Sequence, residues 1–115
     1  MNIRRGDVLL VDFDPVKGSK QGKIRPCLVI QNDLGNKFSN TTIVVPISSK
    51  LPSKNYPTNV FISSGEAGLK KEGIIKCSQI TTISVKHRVI KKIGFLDNEL
   101  MKLVNNSLKI SLSLE

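Results

Sequence analysis

The stretch Arg25-Pro26-Cys27-Leu28-Val29-Ile30-Gln31 decides how the rest of the chain is read. It is apolar and β-rich, and Pro26 stands at the first position of the expected strand, where a missing N–H is tolerated. Similar runs recur at close spacing: Val8–Phe13, Thr41–Ile47, Thr58–Ile62 with Val60 and Ile62 on one face, and two β-branched stretches within Ile74–Ile83 around Cys77-Ser78-Gln79. Arg88–Ile93 is a short basic edge candidate. Many short strands separated by turn signals predict an antiparallel barrel or sandwich. Only the end of the chain departs from this. Leu96, Leu100, Leu103, Val104 and Leu108 recur at helical spacing, Asp97 suits an N-cap, Glu99 the positive end and Lys109 the negative end. The spacing predicts a helix over about 97–112 that closes one side of the barrel.

At 115 residues the chain fits one domain, residues 1–115, with a modest core. There is no Trp and few aromatics, so aliphatic side chains must carry that core. No apolar run is long enough to span a bilayer, and Met1-Asn2-Ile3-Arg4-Arg5 does not lead into a signal-peptide core, so a cytoplasmic protein is expected. Cys27 and Cys77 lie in apolar strand-like runs and read as buried thiols; one His cannot complete a zinc site with them. The net charge of +9 is unevenly placed. Residues 1–94 hold sixteen Lys/Arg against six Asp/Glu, or +10, and residues 95–115 hold two against three, or −1. That balance favours an anionic partner such as nucleic acid, an acidic peptide or an anionic lipid surface, beside the simpler reading of a basic, soluble surface.

Three loops stand out. Asp14–Ile24 is too long for a tight hairpin and carries Lys17, Lys20 and Lys23. Ser48–Pro57 holds Lys50, Lys54 and Tyr56 beside its serines, and Ser63–Gly73, with three of the eight glycines, reads as a plain surface connection. The sequence has no P-loop, no dinucleotide fingerprint, no HExxH and no cysteine–histidine metal pattern. His87, among cations in an expected turn, reads as an exposed bystander, and nothing in the spacing suggests a Ser-His-Asp triad. What remains is a cation and a hydroxyl. Arg25 follows the first long loop, and Ser48 follows the run Ile43-Val44-Val45-Pro46-Ile47. If the two segment ends are adjacent, a guanidinium and a hydroxyl face one pocket, with Gln79 as a third polar group. Such a set binds a phosphodiester and stabilises charge building on its oxygens. RNA brings its own nucleophile, the 2′-OH, so neither metal nor activated serine is needed. Tyr56, Phe38 and Phe13 are the rings available for stacking on bases, Phe13 reading rather as core. From spacing alone, a catalytic site and a noncatalytic basic barrel both remain open.

A resemblance narrows the choice. Arg5-Gly6-Asp7-Val8, Asp14-Pro15, Gly18-Ser19-Lys20-Gln21-Gly22-Lys23-Ile24-Arg25-Pro26 and Val29-Ile30-Gln31-Asn32-Asp33 closely resemble the MazF/PemK family of type II toxin endoribonucleases. Pro57-Thr58-Asn59-Val60, Gln79-Ile80, Thr82-Ile83, Ile93-Gly94-Phe95-Leu96-Asp97 and Leu108-Lys109-Ile110-Ser111-Leu112 extend the likeness over almost the whole chain. The resemblance implies a mainly β fold, an SH3-like antiparallel barrel with a C-terminal helix, working as a homodimer. It implies sequence-specific cleavage of single-stranded RNA without metal or cofactor, leaving a 2′,3′-cyclic phosphate and a 5′-hydroxyl. It also implies a cognate antitoxin whose acidic, disordered tail covers the active site, and DNA binding together with that antitoxin.

On that resemblance Arg25 matches the catalytic arginine, and Ser48 stands where the family usually has Thr. The hydroxyl survives and the methyl does not, so the rotamer is less constrained. Gly18–Lys23 matches a loop that covers RNA, which makes Ser19, Lys20, Gln21 and Lys23, with Tyr56 and Gln79, the expected RNA-binding residues. The family commonly has Glu before the Gln and Arg two residues after it, where this chain has Ser78 and Thr81; Lys20 also replaces a common Glu. These departures touch the surface that reads RNA, so the cleavage motif does not transfer from a relative. Two other functions compete: a toxin of similar fold that poisons DNA gyrase without cutting, and a noncatalytic RNA-binding barrel.

Overall fold

The computed structural model describes residues 1–13 and 24–115. In them the β-rich runs become seven strands: β1 (Asp7–Asp12), β2 (Ile24–Val29), β3 (Thr41–Ser48), β4 (Asn59–Ile62), β5 (Gly73–Lys76), β6 (Thr81–Ser84) and β7 (Val89–Phe95). Three helices join them, α1 (Asp33–Phe38), α2 (Val85–Arg88) and α3 (Asn98–Ser111), with a 3-10 turn at Glu66–Gly68. All strand pairs are antiparallel, in the order β4-β5-β3-β2-β1-β7, with β6 also alongside β3.

β3 organises the sheet because it changes partner along its length. One edge pairs with β2, through Cys27↔Pro46, Leu28↔Val45 and Val29↔Val44. On the other edge Thr41–Val44 pair with β6, while Ile47 and Ser48 pair with β5. Val45 and Pro46 fall in the gap between these ladders. A proline has no N–H to offer a neighbouring strand, so Pro46 suits the point where β5 and β6 part. The expected run Ile74–Ile83 is therefore two strands, with the turn Cys77–Ile80 between them.

Alternation along the strands sends apolar side chains to both faces of the sheet. Val8, Leu28, Val45, Ile47, Val60, Ile62 and Ile75 form the larger core with Leu96, just before α3, and Val104 and Leu108 within it. Leu9, Val11, Cys27, Val29 and Val44 form a smaller one with Ile3 and Ile83. Each such side chain contributes roughly 1.5–3 kcal/mol by leaving water. The largest fully buried side chains are aliphatic apart from Thr42 and Cys27, as the lack of Trp and the scarcity of aromatic residues required.

α3 starts one residue after its cap, Asp97, whose carboxylate accepts the Leu100 N–H at 2.8 Å. Its inner face is narrower than the spacing suggested: Val104, Ser107 and Leu108 are buried, but Leu103 is exposed. Ser107 Oγ donates to the Pro57 carbonyl at 2.8 Å and ties the helix to the segment before β4.

The expected barrel is loose, for the sheet is open: β4 and β7 do not pair. A loop bridges them instead. The 3-10 turn after β4 lies against β7 so closely that a Cβ on Gly68 would sit 1.9 Å from the Ile93 carbonyl oxygen. Ser63–Gly73 is exposed over most of its length, as its glycines suggested, but it buries Leu69 and Gly73 and packs its 3-10 turn on β7. Pro26 also differs from expectation, standing third in β2 opposite Leu10 rather than first. The ladder to β3 starts only at Cys27, so the missing N–H interrupts nothing on that side.

α1 had no signal in the apolar periodicity, because none of its residues is buried. It is fixed by polar contacts: Asn32 Oδ1 accepts the Gly35 N–H at 2.7 Å, and Asp33 Oδ1 accepts the Arg5 N–H at 2.6 Å. That bond and one from Asn36 hold the Asp33 carboxyl below its usual range. The Arg5-Gly6-Asp7 string is a structural knot. Arg5 donates to the Ile30 carbonyl and to Asn105, Gly6 N donates to Val29 O at φ +97°, and buried Asp7 pairs with Lys92 at 2.9 Å. Among the described residues no helix is long and apolar enough to cross a membrane.

Candidate active site

The fork in β3 opens a groove of about 420 Å³ lined by Phe13, Arg25, Pro46, Ser48, Lys76, Gln79 and Thr81. Antiparallel register explains the grouping. Cys27 lies opposite Pro46, so alternation puts Arg25, two residues before Cys27, and Ser48, two residues after Pro46, on that same face, and both line the groove. Phe13 follows β1 on the face of Val11, which is opposite Arg25. Lys76 ends β5, Thr81 begins β6, and Gln79 lies in the turn between them. Arg25 on β2, Ser48 at the end of β3 and Gln79 in the β5–β6 turn, from three separate parts of the sequence, therefore line one groove.

Each polar side chain has a defined setting. Arg25 is exposed at the second position of β2. Ser48 is half-buried, and its Oγ accepts the Lys50 N–H at 3.2 Å. A hydroxyl that accepts from its own turn keeps its proton to donate elsewhere. Gln79 N–H donates to the Lys76 carbonyl at 3.1 Å, a tight turn that carries both side chains into the groove. Among the described residues the lining holds two cations and no carboxylate, and such surroundings favour an anion with acceptor oxygens.

Cys27 lies under this site, fully buried, with its thiol 3.8 Å from the Arg25 carbonyl oxygen. Burial pushes it up to about 12 and Cys77 up to about 11, so both are neutral, free core thiols as expected. They are inert rather than nucleophilic.

Other expected residues fall elsewhere. Ser19, Lys20, Gln21 and Lys23 lie outside the described residues. Tyr56 is exposed on the segment before β4, and Phe38 stands on α1 at the other end of β3, its ring beneath Lys37; neither lines the groove. Phe13, read as core, packs on the smaller core and also forms a wall of the groove. His87 is exposed in α2, whose cap is Ser84. Lys76 was missed altogether: one cation at the end of a short strand carries no signal until the fold sets it beside Arg25.

The family described as a PemK-like, MazF-like toxin of type II toxin–antitoxin systems matches residues 4–112. The protein named endoribonuclease EndoA of Bacillus subtilis is 46% identical over 114 residues, covering 99% of this chain and 97% of its own. The one named endoribonuclease MazF of Staphylococcus saprophyticus is 46% identical over 112 residues, covering 97% and 92%. Among solved structures, a mycobacterial endoribonuclease in complex with its cognate antitoxin superposes with a TM-score of 0.77 at 19% identity, over 99% of this chain and 96% of that one.

Proposed function

The chain belongs to the PemK-like, MazF-like family of type II toxins, and we infer from that premise that it is the endoribonuclease toxin of such a system, held in check by a cognate antitoxin. The convergence of Arg25, Ser48 and Gln79 in one cationic groove is the observation that carries the mechanism. The substrate is single-stranded RNA. Its 2′-OH attacks the adjacent phosphorus, the P–O5′ bond breaks, and a 2′,3′-cyclic phosphate and a 5′-hydroxyl result. The proton lost by the 2′-OH passes to solvent and the departing 5′-oxygen gains one, so no proton is consumed.

A guanidinium is always protonated and makes a poor base. Arg25 therefore clamps the scissile phosphate with its planar fork and stabilises the charge that builds on it. Ser48 donates its hydroxyl proton to a non-bridging oxygen. Phe13 and Gln79 offer a flat face and an amide to the flanking base, and Ser19, Lys20, Gln21, Lys23 and Tyr56 extend the contact along the strand. No metal enters this chemistry. The protein works as a cytoplasmic, single-domain homodimer, and an acidic antitoxin tail competes with RNA for the basic groove.

The test is cleavage of a long RNA in EDTA. We expect cyclic-phosphate ends, at least about a hundredfold loss in Arg25→Ala, and little recovery in Arg25→Lys because the fork is gone. Ser48→Ala is expected to stay folded but lose most activity, and Ser48→Thr to keep it. Near-wild-type turnover in Arg25→Ala would remove Arg25 from the mechanism. Uncut RNA in the presence of stalled gyrase would instead favour a gyrase poison, and salt-sensitive RNA binding without products a noncatalytic barrel.

A further inference from the structure

The groove contains a second cation that the mechanism above leaves unused. Lys76 is half-buried at the end of β5, opposite Asn59 of β4. Its backbone is fixed on both sides: its carbonyl accepts from Gln79, and the next N–H, of Cys77, donates to the Thr58 carbonyl at 2.9 Å. Ile75, opposite Ile47, is the last β5 residue in the ladder to β3; one position on, where the two strands part, Lys76 lines the groove together with Pro46. Pro46 is also the residue that Cys27 faces from the β2 side. Arg25 and Lys76 thus stand on the two walls of one groove, one from each edge of β3.

Among the described residues, no Asp or Glu lines the groove beside them. The ion pairs of Lys92 with Asp7 and of Lys102 with Glu99 lie elsewhere. Two like charges lining one groove repel each other when it is empty and favour an anion between them. A phosphodiester carries one negative charge, and its pentacoordinate transition state carries nearly two. A cation pair set across the groove therefore interacts more strongly with the transition state than with bound RNA, and that difference accelerates the reaction.

We propose that Lys76 is a catalytic residue, donating a hydrogen bond to a non-bridging oxygen of the scissile phosphate opposite the Arg25 fork. It transfers no proton; the bonds made and broken are those given above. This assignment rests on the nuclease reading of the groove.

The experiment compares wild type, Lys76→Gln and Lys76→Arg. The substrate is a short RNA spanning a mapped cleavage site, and a twin RNA carries a 2′-O-methyl group at the nucleotide that supplies the nucleophile. Rates at saturating RNA and affinities for the uncleavable twin are measured separately, with thermal unfolding as a check on folding. Lys76→Gln is expected to lower the saturated rate about a hundredfold while changing affinity for the twin about threefold or less. Lys76→Arg, which keeps the charge, is expected to recover most of the rate. If Lys76→Gln instead weakens the twin and flattens its salt dependence by about one phosphate at an unchanged rate, Lys76 holds a flanking phosphate and the proposal is overturned. An unchanged rate and affinity also overturns it. A wild type that cuts no RNA overturns the nuclease reading itself, whereas a wild type that cuts as fast as Lys76→Gln overturns only the role of Lys76.

Discussion

Gly68 and Gly94 meet where the 3-10 turn crosses β7. A Cβ at Gly94 would lie 2.3 Å from the Ala67 carbonyl oxygen, and that atom is backbone, which cannot swing aside. Gly65 also has positive φ, at 87°, but a Cβ there meets nothing within 4 Å. Gly94→Ala is therefore expected to destabilise the fold by about 2 kcal/mol or more, and Gly65→Ala by only about 1 kcal/mol of backbone strain. Urea unfolding of the two variants checks the ordering, and equal losses would remove the close approach as its cause. The two thiols give a pH dependence. Their folded values are raised to about 12 and about 11, so above pH 9 the unfolded chain loses thiol protons that the folded chain keeps. Stability then falls with rising pH between about 9 and 11, by at most about 1.4 kcal/mol per pH unit for each thiol. The variant with Cys27 and Cys77 both replaced by Ala should show a flatter alkaline limb in the same measurement.

Among the elements, α3 was legible in the sequence because its stripe has a period and Asp97 has the chemistry of a cap. Asp97→Ala is expected to lose about 1 kcal/mol, read as a lower urea midpoint at constant slope; no change would mean that the helix holds without its cap. β4 was equally readable, with Val60 and Ile62 buried and Phe61 exposed. What sequence could not give was the partner exchange along β3. Thr41–Ser48 reads as one uniform strand, and only pairing shows that its outer edge belongs first to β6 and then to β5. Arg25 and Ser48 were nameable as residue types suited to phosphate, whereas their adjacency and the presence of Lys76 depend on that exchange. α1 stayed hidden for the opposite reason: polar side chains and a backbone N–H hold it, not burial.

At the scale of the molecule, every aromatic side chain among the described residues except Phe13 avoids the core. Phe38, Phe61, Phe95 and Tyr56 are all at least half exposed, as are Leu103, Leu112 and Leu114 near the C-terminus. So much large apolar surface on a chain of 12.7 kDa supports the proposed homodimer, since association removes such surface from water. Sedimentation at micromolar concentration is expected to give twice the chain mass, and a single 12.7 kDa species would remove the dimer.

The partner exchange in β3 also bears on time. Arg25, Ser48 and Gln79 come from β2, the end of β3 and the β5–β6 turn, and no local stretch of chain brings any two of them together. Contacts between such distant positions form late, because the intervening chain must first be closed into loops. A ribosome releases the chain from the N-terminus onward, so the groove cannot exist while β5 and β6 are still unmade. On the proposed assignment of the groove, the capacity to cut therefore arrives only once β5 and β6 have been made and paired with β3.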